Sequence, residues 1–390
     1  MQISDRLTGL TGGGSDGWDL FIKARRMIAS GTPVTELSIG EHDIRTAAPI
    51  LQEMHRSAMG GHTGYAMVPG TDELRDAVAA RVQARTGVPT SRDNVLITAG
   101  GQPALFAAHM AACEPGDVAL YIDPYYATYP GTIRGVSAVP RKVMTRARDA
   151  FQPQRAALEA AAAGATSLMI NSPNNPTGVV YSADTMNMIA DVCRAHDLWL
   201  ISDEVYDTQV WEGDHISPRA LPEMVDRTLV IGSMSKSHAM TGSRCGWLVG
   251  PEEVVGHLIN LATHTTYGVA GFVQDASAFA LGLGDGFEAE VGEPFRRRRA
   301  LARDILARQN TVSLIPSGGA MYLMLDIRAT GLSGDEFGDR LLEKHHICVM
   351  PGESFGDAAA GHVRVAMTIE DGAFAEAIKT LVSFAEGLAS

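Results

Sequence analysis

The stretch Leu229–Lys236, LVIGSMSK, joins a short apolar run to a group of polar residues that ends in a lysine. Leu229, Val230 and Ile231 are apolar, and the last two are β-branched, which is typical of a buried strand. In an open α/β sheet the ligand crevice lies at the carboxyl ends of the strands. Ser233, Ser235 and Lys236 therefore stand where functional side chains are expected.

Similar short runs recur through the first three quarters of the chain, and amphipathic stretches separate several of them. Such alternation predicts an α/β layer structure with a largely parallel sheet. The further runs are Val95–Thr98, Val118–Ile122, Ser167–Ile170, Leu198–Ser202 and Trp247–Val249, and the amphipathic stretches include Ala156–Ala163 and Ala183–His196.

The sequence changes character after about Gly284. A charged helix is predicted over Phe295–Gln309, followed by strands at Met321–Asp326, Cys348–Pro351 and Val363–Met367 and by a closing helix. We therefore expect a large domain over residues 46–284 and a smaller α+β domain over residues 285–390. Residues 1–45, which have little core-forming content, are expected to form an N-terminal arm and part of the small domain.

Composition excludes several classes of function. A net charge of -13 over 390 residues argues against a nucleic-acid or anionic-membrane partner, although a small anionic ligand stays possible in a local pocket. The four cysteines form no CxxC pair, so neither a metal site nor a disulfide framework is expected. Without a signal-like N-terminus or a long uncharged apolar run, the predicted location is cytoplasmic.

Polar motifs follow the predicted strands, and each has an ordinary interpretation when taken alone. A glycine pair makes a tight turn, an aspartate caps a helix, and a lysine is usually exposed. Their combined order and spacing is the informative feature. In chain order the motifs are TAGGQ at 98–102, DPYY at 123–126, NSPNNPTG at 171–178, SDEVY at 202–206, SMSK at 233–236 and TGSRCGW at 241–247.

From Gly40 to Arg364 this order resembles the class I/II aminotransferases, which are fold-type-I pyridoxal-phosphate enzymes. The resemblance implies a seven-stranded, mostly parallel sheet and pyridoxal 5'-phosphate as cofactor. It implies that Lys236 binds the cofactor aldehyde and that Asp203 keeps the ring nitrogen protonated. Tyr206 and Asn175 then match donors to the phenolic oxygen, and Tyr126 matches the aromatic residue stacked on the ring.

The resemblance also assigns the phosphate of the cofactor. A helix N-terminus at the glycine pair offers free N–H groups, and hydroxyl and guanidinium groups complete such a site. The residues matched to this role are Gly101, Gln102, Ser233, Ser235 and Arg244. Tyr65 matches a tyrosine that reaches the phosphate of the neighbouring subunit, which implies a homodimer with shared active sites. Core packing is the rival interpretation of Tyr65.

On the substrate side, Arg364 follows the PGESFG motif at the distance found in the family. A guanidinium at that position binds an α-carboxylate through two parallel hydrogen bonds. Asn175 and Gly40 match family residues that approach the same carboxylate. The implied reaction is transfer of an amino group from an L-amino acid to a 2-oxo acid by a ping-pong mechanism, with Lys236 as general base.

Alternatives share these motifs. A carbon–sulfur β-lyase or a cyclising enzyme uses the same cofactor residues, whereas a cofactor-binding regulator would need a DNA-binding domain for which no basic helix exists here. Gln102 stands where the aspartate-using bacterial branch has a lysine, which argues against an acidic substrate. Several segments look most like bacterial arginine–pyruvate-type aminotransferases. Candidates for the side-chain pocket, each explained equally well by packing, are Trp18, Asp19, His264 and Tyr267.

Overall fold

The computed structural model describes residues 1–13 and 17–389. Its strands are β1 (Thr35–Glu36), β2 (Val95–Thr98), β3 (Val118–Asp123), β4 (Val139–Met144), β5 (Ala165–Asn171), β6 (Trp199–Asp203), β7 (Thr228–Ser233), β8 (Gly246–Val249), β9 (Ser313–Leu314), β10 (Tyr322–Asp326), β11 (Ile347–Cys348), β12 (Met350–Pro351) and β13 (His362–Ala366).

The helices alternate with these strands. They are α1 (Asp5–Thr8), α2 (Asp19–Ala29), α3 (Ala48–Met59), α4 (Asp72–Thr86), α5 (Gly101–Ala112), α6 (Tyr129–Gly135), α7 (Arg155–Ala162), α8 (Ala183–Ala195), α9 (Met234–Ser237), α10 (Glu252–Thr263), α11 (Gly271–Leu281), α12 (Gly284–Leu306), α13 (Gly334–His345) and α14 (Asp371–Ala389). Local chemistry sets several starts: Ser182 accepts a hydrogen bond from Thr185 N at the start of α8, and Ser333 and Glu336 form a capping box at α13.

The large sheet has seven strands in the order β2-β8-β7-β6-β5-β3-β4. Strand β8 runs antiparallel to both of its neighbours, and the remaining pairs are parallel. The prediction of a mostly parallel seven-stranded sheet is confirmed. Strands β3, β5, β6 and β7 point the same way, so their carboxyl ends, and the motifs that follow them, meet at one edge of the sheet.

Side chains alternate between the two faces of this sheet, and helices cover both. In β5, Leu168 and Ile170 pack with Leu158 and Ile189 from α7 and α8, whereas Met169 joins the core on the opposite face, which includes α5 and α10. Strands buried on both faces read as continuous apolar runs, which is why the sequence revealed them.

A second, four-stranded antiparallel sheet has the order β12-β13-β10-β9, and β1 pairs with β11 in parallel. This sheet shares a core with α12, α13 and α14, represented by Phe295, Phe337 and Phe374. Leu37, from the N-terminal part of the chain, packs into the same core. The domain boundaries at residues 45 and 284 stay a prediction.

Two elements differ from the sequence-based expectation. The charged helix begins at Gly284 and not at Phe295, and it continues through Pro294 to Leu306. Val291 is buried and Glu288 forms ion pairs with α4, so tertiary contacts outweigh the glycines and the proline. The strand predicted over Cys348–Pro351 is two strands, because the chain leaves the pairing with β1 after Cys348 and joins β13 at Met350.

No helix in residues 1–13 and 17–389 combines the length and the apolar character needed to cross a bilayer.

Candidate active site

A cavity of about 350 Å³ lies at the carboxyl ends of the parallel strands, within the range of small-molecule sites. Its lining brings together motifs that are far apart in the sequence. Every predicted site residue except Tyr65 lines it: Gly40, Gly101, Gln102, Tyr126, Asn175, Asp203, Tyr206, Ser233, Ser235, Lys236, Arg244 and Arg364.

Asp203 ends β6 and is buried. Its Oδ2 accepts a hydrogen bond from the Tyr129 hydroxyl at 2.6 Å, and its Oδ1 accepts one from Val205 N at 3.3 Å. Burial raises the pKa of Asp203 to about 6, and these two donors act in the opposite direction. The site thus holds a desolvated carboxylate that is ionised at neutral pH and faces a ligand cavity.

Lys236 follows β7 and is half-buried. Its Nζ donates a hydrogen bond to the Gly40 carbonyl, and its own carbonyl accepts one from Gln209 Nε2 at 3.3 Å. Gly40 lies so close to Tyr322 that a Cβ on it would be 1.7 Å from the tyrosine hydroxyl oxygen. A side chain at position 40 would therefore clash with Tyr322 and shift the Gly40 carbonyl that accepts the hydrogen bond from the lysine amine.

Donors suited to an anion gather at a second point of the cavity. Gly101 begins α5, and in the described part of the chain no side chain caps this helix, so its first N–H groups face the cavity without a side-chain partner. Ser233 is the last residue of β7 and Ser235 lies in α9, and Ser235 N donates a hydrogen bond to Ser233 Oγ at 3.1 Å. The exposed Arg244 guanidinium donates to Thr241 O at 2.8 Å and completes a cationic lining.

Arg364 lies in β13 and is 1% exposed. Its Nη1 donates to Asn175 Oδ1 at 2.8 Å and its Nη2 donates to the Ser38 carbonyl. Its Cζ lies 4.4 Å from the ring centroids of both Tyr322 and Phe355, so the guanidinium is held between two aromatic rings. Nε is buried without an acceptor among the described residues, which leaves capacity for a ligand oxygen.

Three residues of this arrangement were not predicted. Tyr129 binds Asp203, the Tyr322 hydroxyl lies 3.1 Å from that of Tyr206, and Asn171 joins two motifs. The Asn171 side chain accepts from Asn175 N at 2.7 Å and donates to the Asp203 carbonyl at 2.9 Å. Asn171 opens the NSPNNPTG motif and Tyr129 follows DPYY by three residues, so the sequence offered a local signal for these two. Tyr322 had none.

The remaining candidates lie in different places. Tyr65 is 92% exposed, so it is not a core residue of this chain. Its ring contacts that of Tyr267, with the two centroids 5.3 Å apart. Trp18 lines the main cavity, whereas Asp19 lines a neighbouring cavity that also includes Trp18. His264 and Tyr267 are exposed and are not part of the lining of the main cavity.

Comparison with known proteins decides the family. The model of the family described as aminotransferase class I and II matches residues 32–381. The chain belongs to this family. The arginine–pyruvate transaminase AruH of Pseudomonas aeruginosa is 39% identical over 370 residues, covering 95% of this chain and 94% of that protein. An aspartate/prephenate aminotransferase of Thermus thermophilus is 33% identical over 348 residues, covering 88% and 89%.

Solved structures agree with the assignment of this chain to the aminotransferase family. The aspartate aminotransferase of Thermus thermophilus with maleate has a TM-score of 0.92 at 29% identity and covers 98% of this chain and 100% of its own. That of Thermotoga maritima has a TM-score of 0.91 at 30% identity, covering 98% and 99%. The aminotransferase fold and the enzyme class predicted from the motifs are confirmed, and these matches do not favour the lyase alternative.

Proposed function

We propose that this aminotransferase holds pyridoxal 5'-phosphate in the 350 Å³ cavity and transfers an amino group from an L-amino acid to a 2-oxo acid there. The observation that carries the proposal is the convergence of a lysine amine, a buried carboxylate and a buried guanidinium on one cavity. These groups come from Lys236 in α9, Asp203 at the end of β6 and Arg364 in β13.

The residues present fit the cofactor at each of its functional groups. The uncapped start of α5, the hydroxyls of Ser233 and Ser235 and the guanidinium of Arg244 suit the phosphate. Asp203 is a buried anion suited to a protonated ring nitrogen. The same cavity is lined by Tyr206 and Asn175, which can donate to the phenolic oxygen, and by Tyr126, which offers an aromatic partner for a ring face.

The protein's part in the reaction follows from these positions. When bound, the cofactor accepts the electron pair released at the substrate α-carbon. Lys236 Nζ moves the proton from that carbon, acting as general base and then as general acid. Asp203 maintains the proton on the ring nitrogen, and Arg364 orients the substrate by binding its α-carboxylate. The aromatic rings on both faces of Arg364 exclude water from that contact.

We further propose that the amino donor has a neutral or basic side chain, with arginine the first to test and pyruvate the first acceptor. Gln102 is held by hydrogen bonds to Thr128 and Thr132 at 3.0 and 2.8 Å, so it offers no cation for an acidic side chain. The acidic residue Glu41, whose Oε1 accepts a hydrogen bond from Thr241 at 3.0 Å, also lines the cavity. The transaminase of Pseudomonas aeruginosa named above supports the same donor class.

A donor panel tests both parts of this proposal. With pyruvate as acceptor, we expect kcat/KM for arginine to exceed that for aspartate by about 100-fold or more, since an unpaired acidic side chain loses its hydration without gaining a partner. Alanine formation is measured against each donor, and ammonia release from cysteine is measured in parallel. Faster turnover of aspartate would contradict the donor class, and release of ammonia without alanine would contradict transamination.

We propose that the aminotransferase is a homodimer in which Tyr65 contributes to the neighbouring site. The exposure of Tyr65, beside the 67% exposed Met67 and the 53% exposed Tyr267, supports an interface at this surface.

Hybrid dimers of Tyr65→Ala and Lys236→Ala subunits, purified through two different affinity tags, test this arrangement. One site of each hybrid carries both substitutions and the other carries neither. We therefore expect a hybrid to recover about half of the wild-type activity, while both parent homodimers stay impaired. Absence of recovery, or full activity of a monomer at high dilution, would refute the shared site.

A further inference from the structure

Asp123, the last residue of β3, is a fully buried carboxylate that stands outside the lining of the active-site cavity. Its two oxygens accept hydrogen bonds from the backbone N–H groups of Asp357 at 3.1 Å and Ala358 at 3.2 Å. These amides belong to residues 352–358, which follow β12. This segment contains all of the PGESFG motif except its proline, which ends β12, and it is called the PGESFG loop below. A carboxylate of the large sheet thus binds a loop that leaves the second sheet.

The loop approaches Asp123 closely and at several points. Tyr125 N donates to the Phe355 carbonyl at 2.9 Å. Gly356 has a φ of +117°, and a Cβ on it would lie 2.1 Å from Asp123 Oδ1. Only glycine allows the backbone to come this near to the carboxylate. An exposed ion pair between Lys142 and Asp357 adds a contact on the outer side of the loop.

One side chain of the loop, that of Phe355, contacts the active-site residue Arg364. Phe355 is buried, and its ring centroid lies 4.4 Å from Cζ of Arg364, opposite Tyr322. Tyr322 belongs to β10, which pairs with the strand that carries Arg364, so this ring moves with the arginine. Phe355 is the ring whose position depends on the loop and, through the two amides, on Asp123.

We propose that Asp123 is a positioning residue for substrate recognition, because it holds the PGESFG loop so that Phe355 keeps the Arg364 guanidinium oriented toward the substrate carboxylate. The inference rests on the proposed role of Arg364. Two charge-assisted hydrogen bonds to a buried anion are strong enough to fix a loop, and a displacement of about 1 Å in a binding group has a large effect on affinity.

The test uses Asp123→Asn in the cofactor-loaded enzyme, because the amide keeps the size of the side chain but turns an N–H toward one of the two loop amides. The probe is pyruvate, whose dissociation constant is measured by calorimetry with the aldehyde form of the cofactor, which has no amine to transfer. We expect binding about tenfold weaker than in the wild type. Retention of pyridoxal phosphate and the melting temperature should change little, and hydrogen exchange of the loop amides should accelerate.

Lys142→Ala is the matched control, since it removes an exposed contact to the same loop and should leave pyruvate affinity unchanged. Gly356→Ala displaces the loop from the other side and should weaken pyruvate binding in the same way, so it replaces Asp123→Asn if that variant does not fold. Wild-type pyruvate affinity in both variants would overturn the inference. Arg364→Lys separates the two proposals: unchanged pyruvate affinity in that variant overturns the role of Arg364 itself.

Discussion

Replacing Lys236 with alanine should reduce transamination by at least about 1,000-fold, because the variant loses both the covalent attachment of the cofactor and the group that moves the α-proton. Pyridoxal phosphate should still bind, since the start of α5, Ser233, Ser235 and Arg244 are unchanged. The two effects separate covalent chemistry from recognition of the phosphate. They are measured as kcat with a saturating donor and as cofactor retained after gel filtration.

Chemical reduction identifies the attached residue directly. Borohydride treatment of the cofactor-loaded wild type, followed by digestion and mass spectrometry, should place the cofactor mass on the peptide that contains Lys236. The same treatment of Lys236→Ala should label no peptide. Lys379→Ala, which removes an exposed lysine on α14, is the control and should behave as the wild type. Near-native turnover in Lys236→Ala would disprove the assignment.

The sequence revealed the strands that are buried on both faces and the motifs at their carboxyl ends. It did not reveal β4, the edge strand of the large sheet, whose sequence VPRKVM contains a proline and two cations. Edge strands tolerate such residues because one side makes no ladder hydrogen bonds, and charges there oppose aggregation. An apolar pattern therefore cannot find them.

The sequence predicted the site residues that belong to local motifs. It did not predict the residues that contact them from other elements of the fold. Arg364 was identified from its distance to PGESFG, but the rings of Tyr322 and Phe355 that enclose it come from β10 and from the loop. Tyr129 stands on α6, seventy-four residues before the carboxylate that it binds. Contacts between separate elements such as these depend on the folded geometry and leave no periodic pattern in the sequence.

The second large effect is expected for Asp203→Asn, which keeps the size of the side chain and removes its charge. We expect kcat to fall by about 100- to 1,000-fold, because the lost anion no longer stabilises the proton on the ring nitrogen as electrons move toward the ring. The melting temperature should be equal or higher, since ionising this buried carboxylate in the wild type opposes folding. Unchanged kinetics would show that another group holds the ring nitrogen.

The pH dependence of cofactor binding by the apoprotein isolates the charge of Asp203. The pKa of this group is raised to about 6 by burial, so its anion is present above that pH and is lost as pH falls through about 6. Affinity for pyridoxal phosphate should decrease in the same range. Tyr129→Phe removes the 2.6 Å donor that favours the anion, so the decrease should begin at higher pH. The second ionisation of the cofactor phosphate also falls at a pH of about 6, and it is the same for the wild type and for Tyr129→Phe. The difference between the two curves therefore reports Asp203 alone, and coincident curves would contradict its role as the partner of the ring nitrogen.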